Sequence, residues 1–174
     1  RIAAAPGRWL SLVPAKLSVT LDYAGAGGWY LHEANSEAFG ARAKVALGTV
    51  ETAYQRLILV LALLAVWPGG PARKRRGSRA LRFGLLLAGL GSALWLSATV
   101  AYLALLVLGC WRRPGLFRAR PIIATTLATV ASLVLVHAVF FGAGRYQLVT
   151  WLLLCGLGGL GLSRARRVLR CARP

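Results

Sequence analysis

An arginine flanked by glycines sits between two long apolar runs in the stretch His137-Ala-Val-Phe-Phe-Gly-Ala-Gly-Arg145-Tyr-Gln-Leu148. Hydrocarbon cannot solvate an ion, so a charged side chain in such a place is a functional-site hypothesis in its own right. Arg145 offers a planar, permanently charged fork of donors that matches phosphate or pyrophosphate. Gly142 and Gly144 let the backbone turn tightly and leave room beside the guanidinium. The bland alternative, an arginine snorkelling to lipid headgroups, stays open. His137, shortly before the corner, would carry a proton or hydrogen-bond a substrate; its alternative is an interhelical hydrogen bond to a Ser or Thr, worth about 1 kcal/mol.

A second group, Asp22, Trp29, His32 and Glu33, mixes an aromatic platform with titratable side chains. That chemistry suits carbohydrate or a metal, but the spacing matches no standard ligand pattern, and an ordinary solvated loop is the competing reading. The sequence holds no phosphate-binding Walker loop, nucleophile elbow or zincin motif. Cys110, Cys155 and Cys171 are widely spaced and form neither a paired-cysteine site nor a disulfide framework, so they read as structural thiols. No self-sufficient catalytic constellation is present.

The elements that must carry these residues follow from composition. The chain has 174 residues, 57% of them hydrophobic, and a mean hydropathy of +0.62. This is far too apolar for a soluble domain of its size and reads as a polytopic membrane protein. Its 22 Lys and Arg against 4 Asp and Glu would suit nucleic acid, but they cluster in short loops between apolar runs, where orientation signals of membrane proteins lie. No nucleic-acid partner is expected. Met is absent and the chain starts at Arg1, so the sequence reads as the C-terminal part of something longer.

Residues 1–44 hold three of the four acids, with glycine and aromatic clusters, and read as an extracytoplasmic loop region with a short interfacial helix around Trp9. Residues 45–163 read as transmembrane helical segments, at about 45–67, 83–111, 121–142 and 146–162. The first spans only if Glu51 and Arg56 lie at an interface. Residues 164–174 read as a basic cytoplasmic tail. The expected fold is therefore all-α: a polytopic helical membrane fragment with about four apolar segments and one extracytoplasmic loop.

The segment 83–111 is ambiguous. Its 29 residues without a charge make roughly 43 Å of helix against a hydrocarbon core of about 30 Å. Small residues recur at Gly89, Ala93, Ser97 and Ala101, which favours one continuous helix over a hairpin at Gly91-Ser92; a second stripe runs through Ala124, Ala128 and Ser132. The basic clusters argue otherwise. Residues 68–82 carry six positive charges, 112–120 four and the tail five. If all three face the cytoplasm, 83–111 must enter and leave by the same face. Orientation bias in short loops is the better-founded rule, so the charge count is preferred. The last two segments then form a hairpin whose glycine corner faces away from the cytoplasm.

The stretch "HAVFFGAGRYQLVTWLLLCGLGGLGL" resembles the last two membrane segments of polyprenyl-phosphate-sugar glycosyltransferases of the GT-C class, such as protein O-mannosyltransferases and bacterial aminoarabinose transferases. His137, Phe140, Phe141, Gly142, Arg145 and Tyr146 carry the likeness; the proline that often follows the Arg-Tyr pair is missing at Val149 to Trp151. The stretch "PAKLSVTLDYAGAGGWYLHEAN" is similar to an extracytoplasmic loop of bacterial members. The resemblance covers about half the chain. It implies sugar transfer from a polyprenyl-phosphate donor to a protein, glycan or lipid acceptor at the outer face of the plasma (inner) membrane. Arg145 would lie near the donor phosphate, Tyr146 and His137 along the lipid-linked site, and the loop bearing Asp22, Trp29, His32 and Glu33 over the acceptor side. The family's catalytic acid belongs to an earlier loop, so the resemblance implies catalytic residues upstream of Arg1, unknown in this sequence. No cofactor is evident, and any divalent metal is left to the longer parent. The rival is a small helical transporter or assembly subunit without enzymatic activity.

Overall fold

The computed structural model describes residues 6–22, 24–67, 76–111, 121–140 and 144–171. All regular structure among them is helical. Three helices are long and apolar enough to cross a membrane, with spanning segments Ala41–Val66, Pro121–Val139 and Leu148–Arg167. The protein is an all-α membrane protein.

The helices in chain order are α1 (Pro6–Ser11), α2 (Val13–Leu21), α3 (Ala26–Ala34), α4 (Ala41–Val66), α5 (Arg76–Trp95), α6 (Ala98–Cys110), α7 (Pro121–Val139) and α8 (Leu148–Cys171), with a 3-10 turn at Gly144–Gln147 before α8. At 1.5 Å per residue, the 26 residues of α4 make about 39 Å and the 19 of α7 about 28 Å, enough for a core of about 30 Å. The 13 residues of α6 make only about 20 Å.

The segment 83–111 is not one helix. It breaks at Leu96 and Ser97, five residues beyond the expected Gly91-Ser92 point, and α5 folds back on α6. The pairing is symmetric about the break. A Cβ at Gly89 would stand 2.9 Å from the Ala104 Cβ, and at the open end the Arg82 guanidinium lies 5.5 Å from the Trp111 ring centroid. Gly89, Ala93 and Ala101, part of the small-residue stripe, are buried. Close helix approach is what such a stripe provides, in a hairpin as well as between continuous helices. Neither arm reaches about 30 Å in its apolar part, so the pair is a re-entrant hairpin by length. Among the described residues the four expected apolar segments are thus present, with 83–111 divided into two helices.

Contacts fix the remaining directions. α8 runs parallel to α4, with Tyr54 against Trp151 and Arg164 donating to the Trp67 carbonyl. α7 is antiparallel to α8, since the Thr126 hydroxyl reaches the Leu153 carbonyl and Gly156 faces Ile122. The ends flanking all three basic clusters, at Val66 and Arg76, at Trp111 and Pro121, and at Arg164, therefore lie toward one face. The hairpin tip and the Gly144–Gln147 corner lie toward the other. Cys110, exposed at the foot of α6, should accordingly react with a membrane-impermeant maleimide only from the side of the basic clusters. Labelling of Cys110 in sealed vesicles from the corner side would remove the hairpin.

Residues 1–44 depart from the expected loop. Among the described ones, α1, with no buried residue, packs on α2, α2 packs against α6, α7 and the corner, and α3 against α4. The glycines explain the second contact. A Cβ at Gly28 would come within 2.8 Å of the Lys44 carbonyl, and the Gly48 side faces the Gly25 Cα at 3.6 Å. The Gly25-Ala-Gly-Gly28 run is thus a helix-packing surface and not a solvated turn. The tail also differs, because α8 continues unbroken through its basic end to Cys171. The second stripe does not face the interior; Ala128 and Ser132 are exposed. Of the α4 charges, Arg56 donates to the carbonyls of Ser92 and Ala93 at 3.2 Å each, whereas Glu51 lies over Gly27 with its Oε2 buried and without a hydrogen-bond partner among the described residues.

Candidate functional site

The corner between α7 and α8 brings two of the sequence-derived site residues together. His137, in the last turn of α7, is buried. Its Nδ1 lies 2.9 Å from the Leu133 carbonyl one turn earlier, so that nitrogen donates to the carbonyl and Nε2 is turned away from it. The ring centroid stands 5.2 Å from that of Tyr146 at an interplanar angle of 41°. Tyr146, on the 3-10 turn, is 42% exposed, which leaves the pair reachable from outside. Lys16 of α2 donates to the Val139 carbonyl at 3.0 Å and satisfies an end carbonyl of α7, where a cation also complements the helix dipole. Arg145 has its backbone in the 3-10 turn; its side chain, with Phe141 and Gly142, lies outside the described residues.

Behind the corner, Gln147 is fully buried and accepts from Gln55 of α4, whose amide also donates to the Leu21 carbonyl at 2.7 Å. The Thr150 hydroxyl donates to the Gln147 carbonyl at 2.6 Å. Tyr102 of α6 places its hydroxyl beside Gln55, Thr150 and Trp151, fully buried and without a hydrogen-bond partner among the described residues. In this layer the Gln55 amide bonds tie α2, α4 and the turn before α8 together, while Gln55 Oε1, the Tyr102 hydroxyl and Trp151 Nε1 are buried without partners among the described residues, a cost to the bundle interior. Sequence reasoning missed it. The signal was available as Gln55, Tyr102 and Gln147, polar groups inside otherwise apolar stretches.

The second sequence-derived group does not assemble. Asp22 leaves it to serve the hairpin: its Oδ1 accepts from the Thr99 backbone N–H at 2.8 Å and from the Thr99 hydroxyl at 3.2 Å. The Ser97 hydroxyl approaches the two oxygens at 2.9 and 3.0 Å, and Ser18 donates to Oδ2 at 2.7 Å. Asp22 is thus the N-cap of α6 supplied from 75 residues away, and a carboxylate there meets the positive end of the helix dipole. Arg56 supplies the complement at the C-terminal carbonyls of α5. Ser97 occupies the cap position without a side-chain cap bond of its own. His32 is spent on the Phe39 carbonyl, 2.7 Å from its Nδ1. Glu33 is exposed, and Trp29 is 41% exposed with its ring edge against Tyr30. Among the described residues no three His, Cys, Asp or Glu side chains gather as a metal site would require.

The arrangement can therefore hold and orient a polar group at the His137–Tyr146 edge, with donors and acceptors but without a paired acid and base. No family profile, no curated protein and no solved structure matches the chain.

Proposed function

We propose that the chain is the C-terminal membrane portion of a glycosyltransferase that moves a sugar from a polyprenyl-phosphate donor to a protein, glycan or lipid acceptor. Support comes from one contact: His137 and Tyr146, two residues of the motif carrying the resemblance, meet at a corner opposite the basic ends. If the basic ends are cytoplasmic, as positive loops favour, that corner faces the outside of the plasma (inner) membrane. In this reading the acceptor hydroxyl attacks the anomeric carbon and the sugar–phosphate bond breaks. The acceptor's proton passes to an upstream carboxylate, and Arg145 receives the departing phosphate as a charge-assisted, bidentate pair. His137 and Tyr146 flank the phosphate-bearing end of the lipid.

The test is sugar transfer by the longer parent protein at matched membrane abundance. Arg145→Ala should slow transfer about thirtyfold, the equivalent of about 2 kcal/mol for one charged hydrogen-bonding partner. Arg145→Lys keeps the charge, loses the fork and should fall between. Equal rates for all three would leave Arg145 as a snorkelling anchor and remove the proposal.

A second reading, a small helical transporter or assembly subunit, has its own support in the hairpin. The N-terminus of α6 meets α2 inside the bundle, an arrangement of interrupted elements that transporters use at their binding sites. Here Asp22 already occupies that helix end, which favours a packing role. A parent gene with an aspartate-bearing loop upstream of Arg1 favours the transferase.

A further inference from the structure

We infer that the groove between Asp22, Ala24 and Gly25 on one side and the first half of α4 on the other holds an anionic membrane phospholipid, its phosphate on Lys44 and the upper part of one acyl chain along Val45, Gly48 and Ala53. The groove has a volume of about 550 Å3, within the range of about 300 to 1,000 Å3 usual for small-molecule sites.

Its polar groups are mostly spent. The Thr49 hydroxyl donates to the Val45 carbonyl at 2.8 Å and that of Thr52 to the Gly48 carbonyl at 2.7 Å. Asp22 is engaged by Ser18, Ser97 and Thr99, and its charge is balanced by the end of α6. The Lys44 ammonium is the exception, with no hydrogen bond or ion pair among the described residues. What remains is one cation above an otherwise apolar wall. That combination fits an amphiphile with a negative head and fits a sugar or a free nucleotide poorly.

Depth along α4 agrees. Counting back from Val66 at 1.5 Å per residue, a hydrocarbon core of about 30 Å ends near residue 46. Lys44 then lies at headgroup level, and Ala53 lies about 12 Å deeper than Val45, at acyl-chain level. Val45 is 67% exposed and Val50 64%, so the groove opens sideways to lipid. Gly25 and Gly48 shape its floor, their backbones approaching because neither carries a side chain. The inference is independent of the transferase reading, since it uses none of the corner residues.

The test reconstitutes the purified chain in nanodiscs of equal phosphatidylglycerol and phosphatidylcholine and reads retained lipid by native mass spectrometry after gentle detergent exchange. Wild type should keep one phosphatidylglycerol in preference to phosphatidylcholine. Lys44→Gln should weaken that retention about fivefold, the effect of one lysine at an anionic membrane surface, and Lys44→Arg should preserve it. Ala53→Phe fills the exposed lower groove and should release the lipid with Lys44 intact. Arg42→Gln, outside the groove, should change nothing. Retention in Lys44→Gln equal to wild type, no preference for the anionic lipid, or displacement by millimolar glycerol phosphate would each overturn the inference.

Discussion

Replacing Asp22 by alanine should lower the unfolding free energy of the chain in mild detergent by about 3 kcal/mol, because it strips the cap from α6 and leaves several donors without an acceptor. The carboxylate accepts from Ser18, Ser97 and both the backbone and hydroxyl of Thr99, and these groups have no other route to the same oxygens. Asp22→Asn keeps one acceptor but turns an amide toward the helix N-terminus, and should cost about half as much. Glu33→Ala, at an exposed acid of similar chemistry, should stay within about 0.5 kcal/mol. The double variant Asp22→Ala with Ser97→Ala should cost less than the two singles together, since they share one network. Thermal or denaturant unfolding followed by circular dichroism measures these variants and the Ser97→Ala single. An Asp22→Ala protein as stable as Glu33→Ala would show that the hairpin tip does not depend on this clamp.

That clamp also explains what the sequence did and did not disclose. The three basic clusters, read as orientation signals, required 83–111 to return to its own face, and the hairpin does so. The point of return was not legible. Glycine at residue 91 suggested a bend, whereas Leu96 and Ser97 are ordinary residues whose break is stabilised by Asp22 and Arg56, one before and one after the Gly-rich connection to α4. A local reading has no access to a cap supplied from 75 residues away. The same long-range service removed Asp22 from the carbohydrate-like group in which its neighbours suggested it belonged. The Gly25–Gly28 run misled for a related reason. Glycine marks either a turn or a close approach, and only the partner backbone at Lys44 and Gly48 decides between them. At the corner the pattern was more informative, because His137 and Tyr146 are nine residues apart at the facing ends of two antiparallel helical segments, and such ends lie together whatever packs around them.

The largest packing effect should fall on Gly161, in the C-terminal half of α8. A Cβ built there would lie 1.9 Å from the Leu61 carbonyl oxygen, 2.9 Å from its carbon and 3.2 Å from the Ala65 nitrogen. These are backbone atoms of a continuous helix and cannot rotate aside, so α4 and α8 must separate along their parallel seam. Overpacking commonly costs about 1 to 3 kcal/mol, and backbone as the obstacle puts Gly161→Ala at or above the upper end, with Gly161→Leu larger still. Separation would also pull Arg164 from the Ala65 and Trp67 carbonyls one turn further on and loosen Tyr54 from Trp151 at the other end. Gly159 is the internal control. It lies two residues away on the same helix with nothing within 4 Å of its Cβ position. Gly159→Ala should therefore be neutral or stabilise by up to about 1 kcal/mol through helix propensity alone. The two variants share composition, hydropathy and helix, and differ only in the face they occupy. Melting midpoints in the same detergent, with Trp fluorescence reporting the Tyr54–Trp151 contact, separate them, and equal midpoints for Gly161→Ala and Gly159→Ala would refute the close α4–α8 seam on which the corner is built.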